Sequence, residues 1–147
     1  MKARLAALAA IVLSLVLSAS ALADDNAAKK ERRTPVLVEF EGVDAIGNDL
    51  AAKLSQEINK NNPASPEREA TFHLQLSSAV EFETRPGVGS VYSVVWTFAQ
   101  TGGSIEFYLA RDMGVVTQDN IDTVVRRLVQ RTDGVAARYG YLDRDKK

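Results

Sequence analysis

VYSVVWTFAQTGGSIEFYLA, residues 91–110, consists of two alternating runs separated by Gly102-Gly103. A Gly-Gly pair between such runs is a strong hairpin signal, because glycine accepts the positive φ angles that two-residue hairpin turns require. With these glycines at the centre of the turn, Phe98 falls opposite Phe107, Trp96 opposite Leu109 and Gln100 opposite Ile105. Tyr92, Val94, Trp96, Phe98, Ile105, Phe107 and Leu109 then share one face. Val91, Ser93, Val95, Thr97, Ala99, Glu106, Tyr108 and Ala110 share the other, which is small and mixed enough to meet water. The hairpin anchors the fold and contains no recognisable catalytic constellation.

Working outward, alternation recurs from Thr71, with Phe72, Leu74, Leu76, Val80 and Phe82 on one side and Ser78 interrupting them. Thr84-Arg85-Pro86-Gly87 is a turn tetrapeptide that joins this strand to the hairpin, giving an antiparallel meander. Upstream, Val36, Val38 and Phe40 alternate in a first strand whose place in the sheet is open. Ile46, Leu50, Leu54 and Ile58 recur every fourth residue behind Asp44, an N-cap candidate, and so predict a helix ending near Asn59. Pro63 and Pro66 mark the following loop. Downstream, Ile121, Val124, Val125, Leu128, Thr132, Val135, Ala136 and Tyr139 form the core stripe of a second helix, capped by Thr117 and stopped by Gly140. The order strand, helix, three strands, helix predicts an α+β two-layer sandwich with a mostly antiparallel sheet, two helices on one face and the other face open.

The N-terminus reads differently. Lys2 and Arg4 precede an apolar run from Leu5 to Leu17, and Ala21-Leu22-Ala23 stands before Asp24-Asp25. This is the pattern of a secretory signal peptide over residues 1–23 cleaved after Ala23, and the expected location is periplasmic. Retention of Leu5 to Ala23 as an anchor is the alternative. Residues 24–34 read as a charged leader, 35–141 as a single domain and 142–147 as a polar tail. Without cysteine there is no disulfide, thiolate metal site, thiol nucleophile or lipid-modified cysteine, so a lipoprotein is not expected. Loss of Lys2 and Arg4 leaves 16 basic against 19 acidic side chains, a balance that offers no footprint for nucleic acid.

Candidate chemistry is sparse. His73 is the single histidine and stands on the open face with Gln75, with no Gly-x-Ser-x-Gly elbow to accompany it. It reads as a surface histidine. Glu39/Glu41 and Glu81/Glu83 are i, i+2 carboxylate pairs that strand alternation produces on its own. Zinc sites want several His or Cys ligands, so no metal, cofactor or catalytic residue is assigned.

Two surfaces invite binding. Arg127, Arg131 and Arg138 fall within about 40° of one another on the last helix, a basic stripe suited to anionic lipid, a cell-wall polymer or an acidic envelope protein. Their bland reading is that the stems cover the sheet edge and the heads stay in water. The open face, with Val95 and Tyr108 among Ala79, Val91, Ala99 and Ala110, is a shallow apolar strip where a homodimer or another partner could dock, as could a sheet edge.

Helix, three antiparallel strands and helix, from about Asp44 to Tyr139, resemble the element order of a double-stranded-RNA-binding domain. That family has a lysine cluster at the start of its second helix, where this chain has Thr117-Gln118-Asp119-Asn120. The layout around Tyr92-Ser93-Val94-Val95-Trp96-Thr97 is also similar to small exported proteins of Gram-negative bacteria without assigned activity, which implies a periplasmic setting and no functional residues. The expected function is that of a non-enzymatic soluble periplasmic protein binding or supporting an envelope component. The alternatives are a small periplasmic hydrolase using Glu81/Glu83 or His73, and an inhibitor or immunity-type protein acting through the 85–90 loop.

Overall fold

Alternation and helical periodicity become, in order, β1 (Val36–Glu41), α1 (Ala45–Asn59), β2 (Phe72–Val80), β3 (Ser90–Ala99), β4 (Glu106–Val116) and α2 (Ile121–Tyr139). The computed structural model describes residues 34–62, 71–100 and 105–143. These belong to the unit Glu31–Lys147. The expected signal peptide and nearly all of the expected charged leader lie outside the described residues, as do 63–70, the expected Gly102-Gly103 turn and 144–147.

The sheet order is β1-β2-β3-β4, with β1 parallel to β2 and the other pairs antiparallel. The expected α+β sandwich is therefore the fold, and the first strand takes the edge beside β2. A parallel neighbour requires a crossover, and α1 supplies it.

The core is one apolar layer between the sheet and the helices. Val36, Phe72, Leu74, Leu76, Tyr92, Val94, Trp96, Phe98 and Val116 meet Ile46, Leu50, Leu54 and Ile58 of α1 and Ile121, Val124, Val125, Leu128 and Val135 of α2. Phe72 and Phe98 pack edge to face, with ring centroids 5.4 Å apart. Trp96 Nε1 donates to Thr132 Oγ1 at 3.0 Å, and Thr132 Oγ1 donates in turn to the Leu128 carbonyl. The buried indole thus finds a polar partner inside an apolar layer, as a buried N–H requires.

The hairpin register departs from simple alternation. Phe98 pairs with Phe107 and Thr97 with Tyr108 as expected, but Trp96 pairs with Ala110, so Leu109 is the extra residue of a β-bulge. Beyond the bulge every side chain of β4 changes face. Ala110 joins the covered side, while Arg111, Met113 and Val115 turn outward. Side-chain volume supplies the reason. Uninterrupted pairing would set Leu109 against Trp96 and Met113 against Tyr92, whereas the bulge sets Ala110 and Gly114 against those two rings. A Cβ on Gly114 would stand 2.9 Å from Tyr92 Oη and 3.2 Å from the ring. Ile105 and Phe107, expected under the helices, are 67% and 49% exposed at the free end of the strand.

Two other expectations are corrected. Phe82 lies beyond β2 and is exposed, because the strand stops at Val80. The N-cap of α2 is Asn120, whose Oδ1 accepts from the Thr117 amide at 2.9 Å in a tight turn; Thr117 precedes the cap.

Candidate functional site

Arg127, Arg131 and Arg138 are exposed on the flank of α2 that faces β4. Each guanidinium has a resting place. Arg127 donates to Tyr92 Oη. Arg131 donates to the Arg111 carbonyl at 2.8 Å, lies 3.8 Å from the Asp112 carboxylate and stacks 5.6 Å above the Trp96 ring. Arg138 stacks 5.5 Å over Tyr139. Burial pushes the Tyr92 phenol above its ordinary value, with Arg127 opposing and Asp112 adding, so it stays a neutral acceptor for Arg127.

The two flanks of the helix differ in charge. At about 100° per residue, Asp122 and Asp133 lie on the flank opposite the arginines. Asp122 accepts from Lys53 of α1 at 2.6 Å, and that hydrogen bond together with the Lys53 charge lowers its carboxyl pKa. Arg126 lies within about 40° of both Asp122 and Asp133 and its charge also lowers the Asp122 pKa, so the flank toward α1 is mixed, whereas the stripe of Arg127, Arg131 and Arg138 is wholly basic, with Asp112 of β4 beside it.

The open face carries a second cluster. His73, with its side chain 15% exposed, holds Nδ1 3.2 Å from Glu106 Oε1 and 3.7 Å from Glu39 Oε1. Gln75 Nε2 and Thr97 Oγ1 both donate to Glu106 Oε2, at 2.9 and 2.8 Å. His73 is thus part of a carboxylate network and not an isolated surface group. Chain separations of 34 and 33 residues hid this from the sequence. The hairpin register was the available signal, since it put Glu106 on the side of Thr97. Val95 and Tyr108 occupy the same face, Val95 between Gln75 and Arg111 and Tyr108 beside Thr97.

The 85–90 loop is exposed from Arg85 to Val88 and organised by two turns, with the Arg85 amide on the Phe82 carbonyl and the Val88 amide on the Arg85 carbonyl. Arg85 stacks 5.0 Å over Phe82. Glu81 and Glu83 follow the end of β2, so they are not displayed as a strand pair; Glu39 and Glu41 are, on β1. Among the described residues, no three or more His, Asp or Glu side chains gather where they could hold a metal ion. Also among the described residues, no helix is long and apolar enough to cross a membrane.

The expected N-cap of α1, Asp44, has two further partners that the sequence did not reveal. Asp44 caps α1 by accepting from the Gly47 amide at 2.6 Å, and it also accepts from Ser78 Oγ at 2.6 Å and from Ser90 Oγ. Burial would raise this carboxyl, but the bonds from Ser78, Ser90 and Gly47 outweigh it and hold the pKa below its ordinary 3.8. Ser78, the polar break in an apolar run, was the signal. The cluster is structural, tying α1 to β2 and β3.

No family model matches the chain, and no curated protein matches it either.

Proposed function

We propose that this chain is an exported, non-enzymatic protein of the bacterial periplasm that holds an anionic envelope component, lipid headgroup or cell-wall polymer, against the arginine flank of α2. One observation carries the reading: the wholly basic stripe on one flank of that helix, with three arginines resting on Tyr92, Trp96, Arg111 and Tyr139 while the residues stay exposed. A guanidinium already held in place loses less freedom on binding, and its fork matches phosphate and carboxylate oxygens. The polar groups of the interior serve the fold instead: Asp44 caps a helix, Thr132 receives the Trp96 N–H, and Asp143 receives Thr71.

Cosedimentation with anionic vesicles, zwitterionic vesicles and isolated cell wall tests this. The wild type is expected to bind the anionic vesicles or the wall in a salt-sensitive manner. The Arg127→Gln/Arg131→Gln/Arg138→Gln triple variant, with its fold checked by thermal melting, is expected to lose that binding. Equal binding by both proteins overturns the reading.

A hydrolase is the second reading, favoured by His73 lying between Glu39 and Glu106. A carboxylate that orients a histidine is a recurring arrangement for a general base. Hydrolysis of wall or ester substrates by the wild type, abolished in His73→Ala, would establish it.

A further inference from the structure

We propose that the uncovered face of the sheet is the interface of a homodimer, in which two sheets pack face to face about a two-fold axis parallel to the strands. The observation is the order of side chains across that face. Pairing aligns Leu37, His73, Thr97 and Tyr108 in one row, and Glu39, Gln75, Val95 and Arg111 in the next. Glu41, Ser77, Ser93 and Met113 follow, then Ala79, Val91 and Val115. Each full row therefore runs from β1 to β4.

A two-fold axis along the strands keeps the rows and reverses the order of strands, setting β1 of one copy over β4 of the other. Glu39 then meets Arg111 of the second copy, and Leu37 meets Tyr108. Glu41 lays its stem on Met113, and Val91 covers Ala79. Opposite charges and apolar groups thus find their complements twice over, as an isologous contact demands. A two-fold axis across the strands would stack β1 on β1 and leave Arg111 facing β4 residues.

Three further features fit this occupant. Met113 at 73% and Tyr108 at 62% exposure, with Leu37, Val91 and Val115, leave large apolar side chains in water on a single chain. Four strands at about 4.8 Å spacing over roughly eight residues of length give on the order of 500 Å² per copy, so a pair removes about 1,000 Å² from water, the size at which specific interfaces begin. The polar centre is already bonded within one chain, through Gln75, Thr97 and Glu106, so covering it strands few groups. Strand addition at the edges is less suited. The Asn62 side chain takes both backbone groups of Val36 on β1, and Arg131 takes the Arg111 carbonyl on β4.

This interface is separate from the arginine flank and is read by mass, whereas the proposed function is read by binding, so either can fail alone. The chain, expressed from its full sequence and purified as its host processes it, is examined by sedimentation velocity at 150 mM salt. The wild type is expected to be a dimer. Glu39→Arg sets two like charges together across the axis, as does Arg111→Glu, and each variant alone is expected to dissociate at least tenfold more readily. Mixed, the two variants restore both opposite-charge contacts and are expected to form a heterodimer. Both side chains are exposed, so melting temperatures should stay close to that of the wild type; Tyr108→Asp is a second disruption that leaves the charges alone. A monomeric wild type, single variants that remain dimeric, or a mixture that remains monomeric overturns the proposal.

Discussion

Asp44 shows how one side chain can join three elements. Its carboxylate receives an amide from the first turn of α1 and hydroxyls from β2 and β3, and these outweigh burial to depress its pKa below 3.8. A carboxyl whose folded pKa lies below its unfolded value contributes stability that is complete above the unfolded value and is lost as pH falls through the folded one. Asp44→Asn should therefore be less stable than wild type at neutral pH, with the gap narrowing once pH drops below 3.8. Urea melts at pH 7 and pH 3 measure this, and parallel losses at both would contradict it. Gly47 is bound to the same cluster. A Cβ there would stand 1.9 Å from Ser78 Oγ and 2.7 Å from Ser78 Cβ, closer than any relaxation of a hydroxyl rotor can absorb. Gly47→Ala should cost about 1–3 kcal/mol, the usual range for overpacking. Adding Ser78→Gly should recover part of that loss, because it removes the two Ser78 atoms and leaves only Asp44 Oδ2, at 2.7 Å, in the way; a double-mutant cycle in denaturant reads the coupling.

At the scale of elements, α2 and α1 were the most legible parts, since their apolar stripes recur at helical spacing regardless of what they pack on. Every residue expected in the α2 stripe from Ile121 to Ala136 is buried. Gly134 is the exception to good helix chemistry in α2. Nothing stands within 4 Å of where its Cβ would be, so Gly134→Ala should stabilise the protein by about 0.5–1 kcal/mol through lower unfolded-state freedom, measured as a raised urea midpoint. The hairpin was half legible. Phe98 and Phe107 meet as alternation requires, but the bulge at Leu109 follows from ring volumes on the partner strand, and alternation carries no information about those. The price of missing that one residue was the facing of the remaining length of β4, which placed Ala110 on the wrong side and hid Arg111 as a face residue.

Across the whole molecule, layer order followed from counting greasy faces, and the two-layer sandwich is what the chain adopts. The seat of β1 was less accessible, although a strand followed by a helix of 15 residues has length enough for a parallel neighbour. The candidate sites divide in the same way. The arginine flank was visible because it lies within one helix, whereas His73 with Glu39 and Glu106 exists only after all four strands are set side by side.

Thr34 and Thr71 both donate to the buried Asp143 carboxylate, at 3.5 and 3.2 Å. Residue 34 before the first strand and residue 143 after the last helix therefore meet at one point. A short glycine-serine tether joining them would close the backbone into a ring at little entropic cost. New ends could then be opened at Gly87, where the chain is exposed and nothing crowds it. Such a circular permutant should melt cooperatively within several degrees of the parent, since the rewiring leaves every layer contact in place.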